Sequence, residues 1–481
     1  MTLDPHLFIV LGATGDLFRR KLLPAIRTLV ADQGADVIVL GAATTDLDDS
    51  GFRASARAAL TATGAADPDA HRWCDESLHY ERISVDDGFA DLTARIEQLE
   101  SRHALSGNRV FYLALPPVAF PTTIERLGAA GLDRSPGWTR LVVEKPFGRD
   151  LESAKDLNAT LHRNFAESQV YRIDHYLGKE TVQNLLIFRF ANPLFEASWN
   201  RDRVDRVEIT VAESLDVGER GAYYDRTGAV RDMIQNHLTQ ILALVAMETP
   251  VTFAADAIRD EKVKVLRSIS EIGPGQIVLG QYGEGVAAVS DAPAYLATPD
   301  VAPDSTTATF AAVRLQLDNW RWQGVPFYLR TGKAMAERVT QVAVTFRRPP
   351  VCLFHGVADG CISHSDVLYL TLQPEEGFSL EIEVKEPGAT NRLRTIPLHF
   401  SYAEAFGDIP EAYETLLADV VEGDQTLFVR SDEVEEAWRL YTPVVETDAK
   451  VHPYPAGSWG PVEARRLLGP EVANWATGPE Q

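Results

Sequence analysis

Short apolar runs alternate with amphipathic stretches over the first 175 residues or so. The apolar runs have the length and continuity of buried strands, and they are Leu7–Leu11, Val37–Leu40, Arg109–Leu115 and Leu141–Val143. Between them, apolar positions recur with a helical period over Asp16–Ala31, Gly88–Arg102 and Pro121–Ala130. Buried strands separated by helices favour a parallel sheet that is covered on both faces. We therefore predict a doubly wound α/β domain over residues 1–175.

The periodicity changes after residue 175. Apolar and polar residues alternate over Val204–Ala212, Thr309–Leu317, Gln341–Arg347, Asp366–Leu372 and Phe378–Val384. This alternation is typical of antiparallel strands with one buried face. Helical patterns cover Ala229–Met247, Ala412–Val421 and Asp432–Val445, and Ala292–Thr306 has the composition of a surface loop. We predict that residues 176–481 form a larger α+β domain with a broad, mainly antiparallel sheet and flanking helices.

Composition and charge narrow the possible partners. The 481 residues are 45% apolar and 24% charged, which is ordinary for a globular protein of two or more domains. A net charge of −23 argues against nucleic acid or an anionic membrane as a partner, although a few clustered cations can still bind one phosphate. There is no apolar run of membrane-spanning length and no signal-peptide pattern. Cys74, Cys352 and Cys361 lack metal-ligand spacing, so we expect reduced thiols in a cytoplasmic protein without a metal site.

A glycine turn, Gly12-Ala-Thr14-Gly15-Asp16-Leu17, follows the first predicted strand and opens a helix. In that position the first glycine permits a tight turn, and the second lets the backbone approach a pyrophosphate at the helix N-terminus. Phe18 stands where the usual fingerprint has a third small residue. The turn predicts a Rossmann-type dinucleotide site, and a plain strand-to-helix turn remains the alternative.

Polar side chains are concentrated at Asp174, His175, Tyr176 and Lys179. The last three offer hydrogen-bond donors, one of them a permanent cation, which suit a phosphate dianion. A scaffold has no need for so many polar groups in six residues. The segment therefore indicates chemistry on a sugar phosphate.

Three further charged residues stand at the ends of predicted strands or aromatic runs. Lys145 follows the last predicted strand of the first domain, where ligands bind in parallel sheets. Glu213 ends the strand Val204–Ala212, and Lys333 follows an aromatic run that begins at Val325. Lys145 could reach a sugar hydroxyl or the cofactor, with an exposed loop lysine as the alternative. Glu213 and Lys333 could contact a sugar phosphate, although each taken singly is more often a solvated charge.

His237 lies on a predicted helix whose other side is strongly apolar. A lone histidine in such a place is often a core residue, but an alcohol oxidation needs a base with a pKa near neutrality. Asp232 precedes it by five residues, which on an α-helix is ~7.5 Å of rise and ~140° of rotation. We therefore expect the two side chains not to share one helix face. Asp174 placed against His237 would fix the imidazole tautomer.

Together these residues resemble the glucose-6-phosphate dehydrogenase family along essentially the whole chain. The matching stretches are Gly12–Pro24, Glu144–Gly148, Arg172–Glu180, Asn192–Pro193, Glu213, Tyr223–Asp225, Asp232–His237, Val325–Lys333 and Thr442–Pro443. The resemblance implies oxidation of D-glucose 6-phosphate to 6-phospho-D-glucono-1,5-lactone. It also implies direct hydride transfer to NAD(P) without a metal, as the first oxidative step of the pentose phosphate pathway.

The resemblance implies a role for each candidate residue. His237 is similar to the family's catalytic proton acceptor and Asp174 to its partner. The substrate would be bound by His175, Tyr176 and Lys179 at the phosphate and by Lys145, Glu213, Asp232 and Lys333 around the sugar. The cofactor would be bound by Gly12, Thr14, Gly15, Asp16, Leu17, Thr44 and Lys145. The family's second domain mediates dimerisation, which implies a homodimer, with a tetramer as the alternative.

One departure from the family concerns the cofactor. Family members commonly carry an arginine after the second strand that binds the 2′-phosphate of NADP, and Thr44 stands in its place here. Threonine cannot replace a guanidinium–phosphate pair, and Asp46 could accept a ribose 2′-hydroxyl instead. NADP is therefore the family expectation, while Thr44 favours acceptance of NAD. Compensating cations could be Arg19, Arg20, Arg53 or Arg57.

Two other interpretations of the chain compete with this one. A glucose–fructose oxidoreductase-like enzyme also carries Glu-Lys-Pro after a strand, but it does not need the phosphate cluster at His175–Lys179. A non-catalytic dinucleotide sensor would have lost a catalytic group, whereas His237 and Asp174 are both present.

Overall fold

The computed structural model describes residues 3–34, 36–65, 68–84, 89–285, 292–351, 364–388, 392–407, 409–447, 449–469, 472 and 474–476. Cys352, Cys361 and the tail after Ala476 lie outside these residues. The chain forms two compact units. The first contains Met1–Lys179, Val251–Arg259 and Pro410–Glu435, and the second contains Glu180–Pro250, Asp260–Ile409 and Glu436–Gln481.

The first unit is built on a six-stranded, fully parallel sheet. Its strands are β1 (His6–Leu11), β2 (Val37–Ala43), β3 (Leu78–Arg82), β4 (Arg109–Leu113), β5 (Thr139–Glu144) and β6 (Val170–Ile173), in the order β3-β2-β1-β4-β5-β6. Every residue of β1 is buried, since both faces of the sheet are covered. The predicted Rossmann-type domain is confirmed. The structure adds β3 and β6 to the predicted strands, so Lys145 follows the fifth strand and not the last.

Helices alternate with these strands along the chain. They are α1 (Leu23–Gln33), α2 (Asp49–Ala62), α3 (Pro68–Ser77), α4 (Ala90–Arg102), α5 (Phe120–Ala129) and α6 (Leu151–Asn164). The first helical stretch begins at Asp16 and passes through a π-helical segment, Phe18–Leu22, before α1. Asp150 caps α6 by accepting a hydrogen bond from the Ser153 amide.

The second unit is built on a nine-stranded, mostly antiparallel sheet. Its strands are β7 (Val204–Ala212), β8 (Ile277–Gly283), β9 (Phe310–Gln316), β10 (Pro326–Gly332), β11 (Val339–Phe346), β12 (Val367–Gln373), β13 (Gly377–Lys385), β14 (Leu393–Ser401) and β15 (Val451–Pro455). The order is β14-β13-β12-β11-β7-β10-β9-β8-β15. The predicted broad antiparallel sheet is confirmed, with two parallel pairs in it, β7 with β10 and β8 with β15.

The later helices are α7 (Glu180–Phe190), α8 (Pro193–Glu196), α9 (Gly221–Ala229), α10 (Thr239–Ala246), α11 (Ala255–Ser268), α12 (Tyr402–Phe406), α13 (Ala412–Glu422) and α14 (Ser431–Val445). A nine-residue π-helix, Val230–Leu238, joins α9 to α10. Thr239 donates its hydroxyl hydrogen bond to the Ile234 carbonyl five residues earlier, at 2.6 Å. The predicted single helix over Ala229–Met247 therefore consists mainly of a π-helix followed by the α-helix α10.

Side chains anchor the C-terminal end of α10. The indole nitrogens of Trp199 and Trp322 donate to the carbonyls of Val245 and Ala246, each at 2.8 Å. Arg189 donates to the carbonyls on either side, Leu244 and Met247, also at 2.8 Å. Four carbonyls that a helix end leaves unpaired are thus satisfied inside the protein.

The segment predicted as a surface loop, Ala292–Thr306, forms neither α-helix nor strand, but it is not wholly on the surface. Tyr295 is fully buried, and its hydroxyl donates to Asp225 at 2.9 Å. Among the described residues, no helix is both long and apolar enough to cross a membrane.

Candidate active site

The glycine turn lies at the carboxyl end of β1, in the middle of the six-stranded sheet. Gly12 has a φ of +93°, and a Cβ atom there would come within 2.2 Å of the Ala114 carbonyl oxygen. The Gly15 amide donates to the Gly12 carbonyl at 3.0 Å, and the helix begins at the exposed Asp16. No side chain fits at Gly12, because the turn passes directly against the Ala114 carbonyl. Strand order and turn together fit the pyrophosphate of a dinucleotide.

The loop after β2 is exposed at Thr44, Thr45 and Asp46. The Tyr80 hydroxyl donates to the carbonyls of Ala43 at 3.2 Å and Thr45 at 2.8 Å. The hydroxyls of Thr14 and Thr45 lie 3.1 Å apart, so this loop and the glycine turn are joined directly. In Rossmann-type domains this loop meets the adenosine ribose.

Lys145 follows a partly buried hydrogen-bonded cluster at the end of β5. Tyr112 and Tyr413 donate their hydroxyls to one oxygen of the Glu144 carboxylate, at 2.6 and 3.0 Å. Burial raises the pKa of Glu144 above its usual range, and burial beside that carboxylate raises the pKa of both tyrosines. The cluster fixes the backbone from which the Lys145 side chain departs. Tyr413 lies far away in sequence, and no local pattern pointed to it.

The segment after β6 brings Asp174, His175, Tyr176 and Lys179 together in the first unit. Asp174 is buried, and one of its carboxylate oxygens accepts from the Tyr176 amide at 3.1 Å. The Lys179 ammonium lies 4.1 Å from the centre of the Tyr176 ring, and the His175 and Tyr176 rings are 5.0 Å apart. A compact turn therefore presents an imidazole, a phenol and an ammonium in one place.

Two neighbouring features hold this turn in place. A Cβ at Gly178 would lie 2.6 Å from the Ala412 carbonyl oxygen, so only glycine permits this close approach to α13. The buried Arg172 on β6 pairs with Glu167 at 2.6 Å. The strand before the turn and the residues after it are both fixed by contacts within the first unit.

The second unit gathers Glu213, Lys333 and Asp232. Glu213 and Lys333 follow the parallel strands β7 and β10, whose last residues are paired, and their side chains form an ion pair. The Lys333 ammonium lies 5.6 Å from the centre of the buried Tyr224 ring. Burial raises the pKa of Tyr224 well above its ordinary value, and the charges of Asp232 and Glu213 add to the rise. Tyr224 is a site residue that sequence reasoning passed over.

Asp232 and His237 both lie on the π-helix. Its hydrogen bonds join residues five apart, so a turn holds more residues than in an α-helix and the rotation between positions i and i+5 is smaller than ~140°. The expectation that these residues do not share a helix face assumed α-helical geometry, which this segment does not have. His237 is 1% exposed, and the Tyr223 hydroxyl lies 3.5 Å from an Asp232 carboxylate oxygen.

A parallel sheet in this strand order, with a glycine turn on its central strand, defines a class. It is the class of proteins with a Rossmann-type dinucleotide-binding domain.

The comparisons give the family within that class. Residues 9–184 match the family model described as "Glucose-6-phosphate dehydrogenase, NAD binding domain", and residues 186–476 match "Glucose-6-phosphate dehydrogenase, C-terminal domain". The chain belongs to the glucose-6-phosphate dehydrogenase family, which confirms the resemblance drawn from its motifs.

Individual relatives agree over their full lengths. The glucose-6-phosphate 1-dehydrogenase of Mycolicibacterium smegmatis is 45% identical, with 99% of this chain and 98% of that protein covered. The protein of the same name from Treponema pallidum is 42% identical, with 98% and 95% covered. A solved structure described as "Glucose-6-phosphate dehydrogenase in complex with its substrate glucose-6-phosphate" superposes with a TM-score of 0.91 at 35% identity, and 99% of each chain is covered.

Proposed function

We propose that this protein oxidises D-glucose 6-phosphate to 6-phospho-D-glucono-1,5-lactone, the first oxidative step of the pentose phosphate pathway. The observation that carries the proposal is the full-length match to a relative described in complex with that substrate. The candidate residues for every step are present in the chain. When bound, the nicotinamide ring of the cofactor accepts the hydride from the sugar.

In this proposal His237 takes the proton of the sugar hydroxyl that is oxidised. A neutral imidazole is suited to this transfer, and Asp174 would orient the ring and stabilise the imidazolium that forms. His237 is buried on the π-helix, and Asp174 is buried directly after β6. Burial excludes water from both groups, which strengthens an interaction between opposite charges.

The substrate would be bound through its phosphate and its hydroxyls. We assign the phosphate to His175, Tyr176 and Lys179, because their side chains lie together in one turn of the first unit. Glu213, Asp232 and Lys333 would bind the sugar, with Lys145 between sugar and cofactor. Carboxylates accept hydroxyl hydrogen bonds, and the Glu213–Lys333 ion pair offers both an acceptor and a donor.

The cofactor would be held by Gly12, Thr14, Gly15, Asp16 and Leu17 at the pyrophosphate. Thr44 lies on the loop that would meet the ribose, and Lys145 would lie near the nicotinamide. Because Thr44 carries no charge, we propose that NAD is accepted far better than in relatives with an arginine there. Initial rates with NAD and with NADP on glucose 6-phosphate measure this preference.

We further propose a cytoplasmic homodimer, with a tetramer as the alternative. The edge strand β14 of the large sheet exposes Ile396 and Leu398, an apolar surface suited to a second copy. Light scattering should give twice the chain mass for the parent protein and the mass of one chain for Leu398→Glu.

Cys74 is a buried free thiol, in keeping with a reducing compartment.

Replacing His237 with asparagine tests the catalytic assignment. We expect His237→Asn to bind glucose 6-phosphate in calorimetry but to lose ~10²–10⁴-fold in kcat, the usual value of a positioned base. His71→Asn, at an exposed histidine on α3 outside the site, is the matched control and should keep the parent rate. Turnover of His237→Asn within threefold of the parent would end the assignment.

A further inference from the structure

The loop that would meet the adenosine ribose carries an ion pair with a residue outside it. Arg82 is the last residue of β3, and in the sheet its Cα is directly paired with that of Ala43, the last residue of β2. The Arg82 guanidinium lies 3.1 Å from an Asp46 carboxylate oxygen. A cation therefore stands beside the loop although Thr44 supplies none.

This ion pair is well placed to open and close. The side chains of Arg82 and Asp46 are 60% and 87% exposed, and pairs that exposed are weak because water competes for both partners. A phosphate dianion carries more negative charge than a carboxylate and offers the guanidinium three acceptor oxygens in place of two. Arg82 could therefore turn from Asp46 to a phosphate at little cost.

The backbone around the pair is held in place. Tyr80, two residues before Arg82, donates its hydroxyl to the carbonyls of Ala43 and Thr45, and its ring is buried. Thr45 in turn contacts Thr14 in the glycine turn. Only the side chains of Arg82 and Asp46 would need to rotate to exchange partners.

Three of the four arginines that could compensate for Thr44 have partners outside the loop that carries Asp46. The Arg53 guanidinium donates to the Leu78 carbonyl at 2.8 Å, and that of Arg57 pairs with Asp75 on α3. Arg19 donates to the Thr14 carbonyl, at the glycine turn. Arg82 differs from these three because its partner, Asp46, lies on the loop that would meet the adenosine ribose.

We propose that Arg82 and Asp46 set the coenzyme preference of this protein. Arg82 binds the 2′-phosphate of NADP, whereas Asp46 accepts the ribose 2′-hydroxyl of NAD while Arg82 remains beside it. The proposal rests on the nicotinamide cofactor named under the proposed function. It assigns to Arg82 on β3 the binding of the 2′-phosphate, which in relatives is the task of an arginine at the position of Thr44.

The test uses adenosine 2′,5′-bisphosphate and adenosine 5′-monophosphate, which differ only in the 2′-phosphate. Calorimetry on the full chain, without sugar, should show that Arg82→Met weakens binding of the bisphosphate ~10- to 100-fold, the range for one charge-assisted pair. Binding of the monophosphate should change less than threefold. Arg72→Met, which removes an exposed guanidinium that pairs with Asp69 on α3, is the matched control and should change neither.

Two further variants sharpen the assignment. Asp46→Asn removes the competing carboxylate, so the bisphosphate should bind more tightly and NAD more weakly. Thr44→Arg in the Arg82→Met background should restore bisphosphate binding, because it returns a guanidinium to the same loop. A loss in Arg82→Met that is equal for both nucleotides, or a selective loss in Arg19→Met alone, would overturn the proposal.

The outcome is separable from that of the proposed function. Selective loss of bisphosphate binding supports the Arg82 assignment even in a chain that fails to oxidise glucose 6-phosphate. An active enzyme whose preference for NADP over NAD is unchanged in Arg82→Met contradicts the assignment while the proposed reaction stands.

Discussion

Replacing Arg189 with methionine removes the guanidinium that pairs the last carbonyls of α10. Arg189 is fully buried, and burial lowers its pKa to about 10. It donates to Leu244 and Met247 at 2.8 Å and pairs with Glu196 at 3.1 Å. Methionine has a similar length and fills much of the space, so the substitution chiefly removes the charge and its hydrogen bonds.

The magnitude follows from the groups left without partners. An unsatisfied buried carbonyl costs about 1–3 kcal/mol, and two are left here, while Glu196 loses one of its two arginine partners and keeps Arg321 at 2.8 Å. We expect Arg189→Met to lower the free energy of unfolding by about 3–5 kcal/mol. Trp199→Phe keeps an aromatic ring and leaves one carbonyl unpaired, so it should cost about 1–3 kcal/mol.

Urea unfolding followed by tryptophan fluorescence measures both changes. The chain has two compact units, so the transition that reports Trp199 and Trp322 should be fitted separately. Arg347→Met is the matched control, because that exposed guanidinium also donates to a main-chain carbonyl, at 2.9 Å, and its loss should cost less than about 0.5 kcal/mol. A cost for Arg189→Met no larger than that of the control would refute the argument from unpaired carbonyls.

Three further predictions concern the two binding sites and the pH dependence of stability. Lys179→Ala should raise KM for glucose 6-phosphate about 10- to 100-fold and leave KM for free glucose nearly unchanged; equal effects in steady-state kinetics would place Lys179 away from the phosphate. Gly12→Ala forces a Cβ against the Ala114 carbonyl, so calorimetry should show NAD(P) binding at least tenfold weaker. Unchanged binding would contradict the assignment of the glycine turn to the cofactor. Burial lowers the pKa of His6 to about 4, so the free energy of unfolding should fall by about 3 kcal/mol as pH drops from about 6.5, where the unfolded chain takes up a proton, to about 4. His6→Gln should lose that part of the pH dependence in urea titrations at each pH, and an unaltered slope would show that another group is responsible.

Local patterns predicted the elements that bury one face or both. The continuous apolar run at Leu7–Leu11 and the alternation at Val204–Ala212 became β1 and β7, because burial of those faces dictates strand period and position. Neither parallel pair in the large sheet was predicted. Pro326–Gly332 is too rich in turn and aromatic residues to show alternation, yet it pairs in parallel with β7.

The parts of the site that escaped prediction depend on distant or subtle features. Tyr413 reaches Glu144 from 269 residues away, a contact that no window of sequence contains. Arg82 is an ordinary charged residue at a strand end until β3 is placed beside β2. The assignment of Asp174 as the partner of His237 stays a prediction.

The π-helix that carries Asp232 and His237 has a consequence for how this segment can change in evolution. A π-helical turn holds one residue more than an α-helical turn, so deletion of a single residue within Val230–Leu238 would let the segment relax to ordinary helix. Trp199 and Trp322 hold the carbonyls of Val245 and Ala246, so the C-terminal end of α10 is fixed. Loss of one residue would therefore rotate the part of the helix that carries His237. Substitutions that preserve length should be tolerated at the apolar positions of this segment, whereas a one-residue gap should not. In descendants of this gene, we expect length to be a stricter constraint here than residue identity.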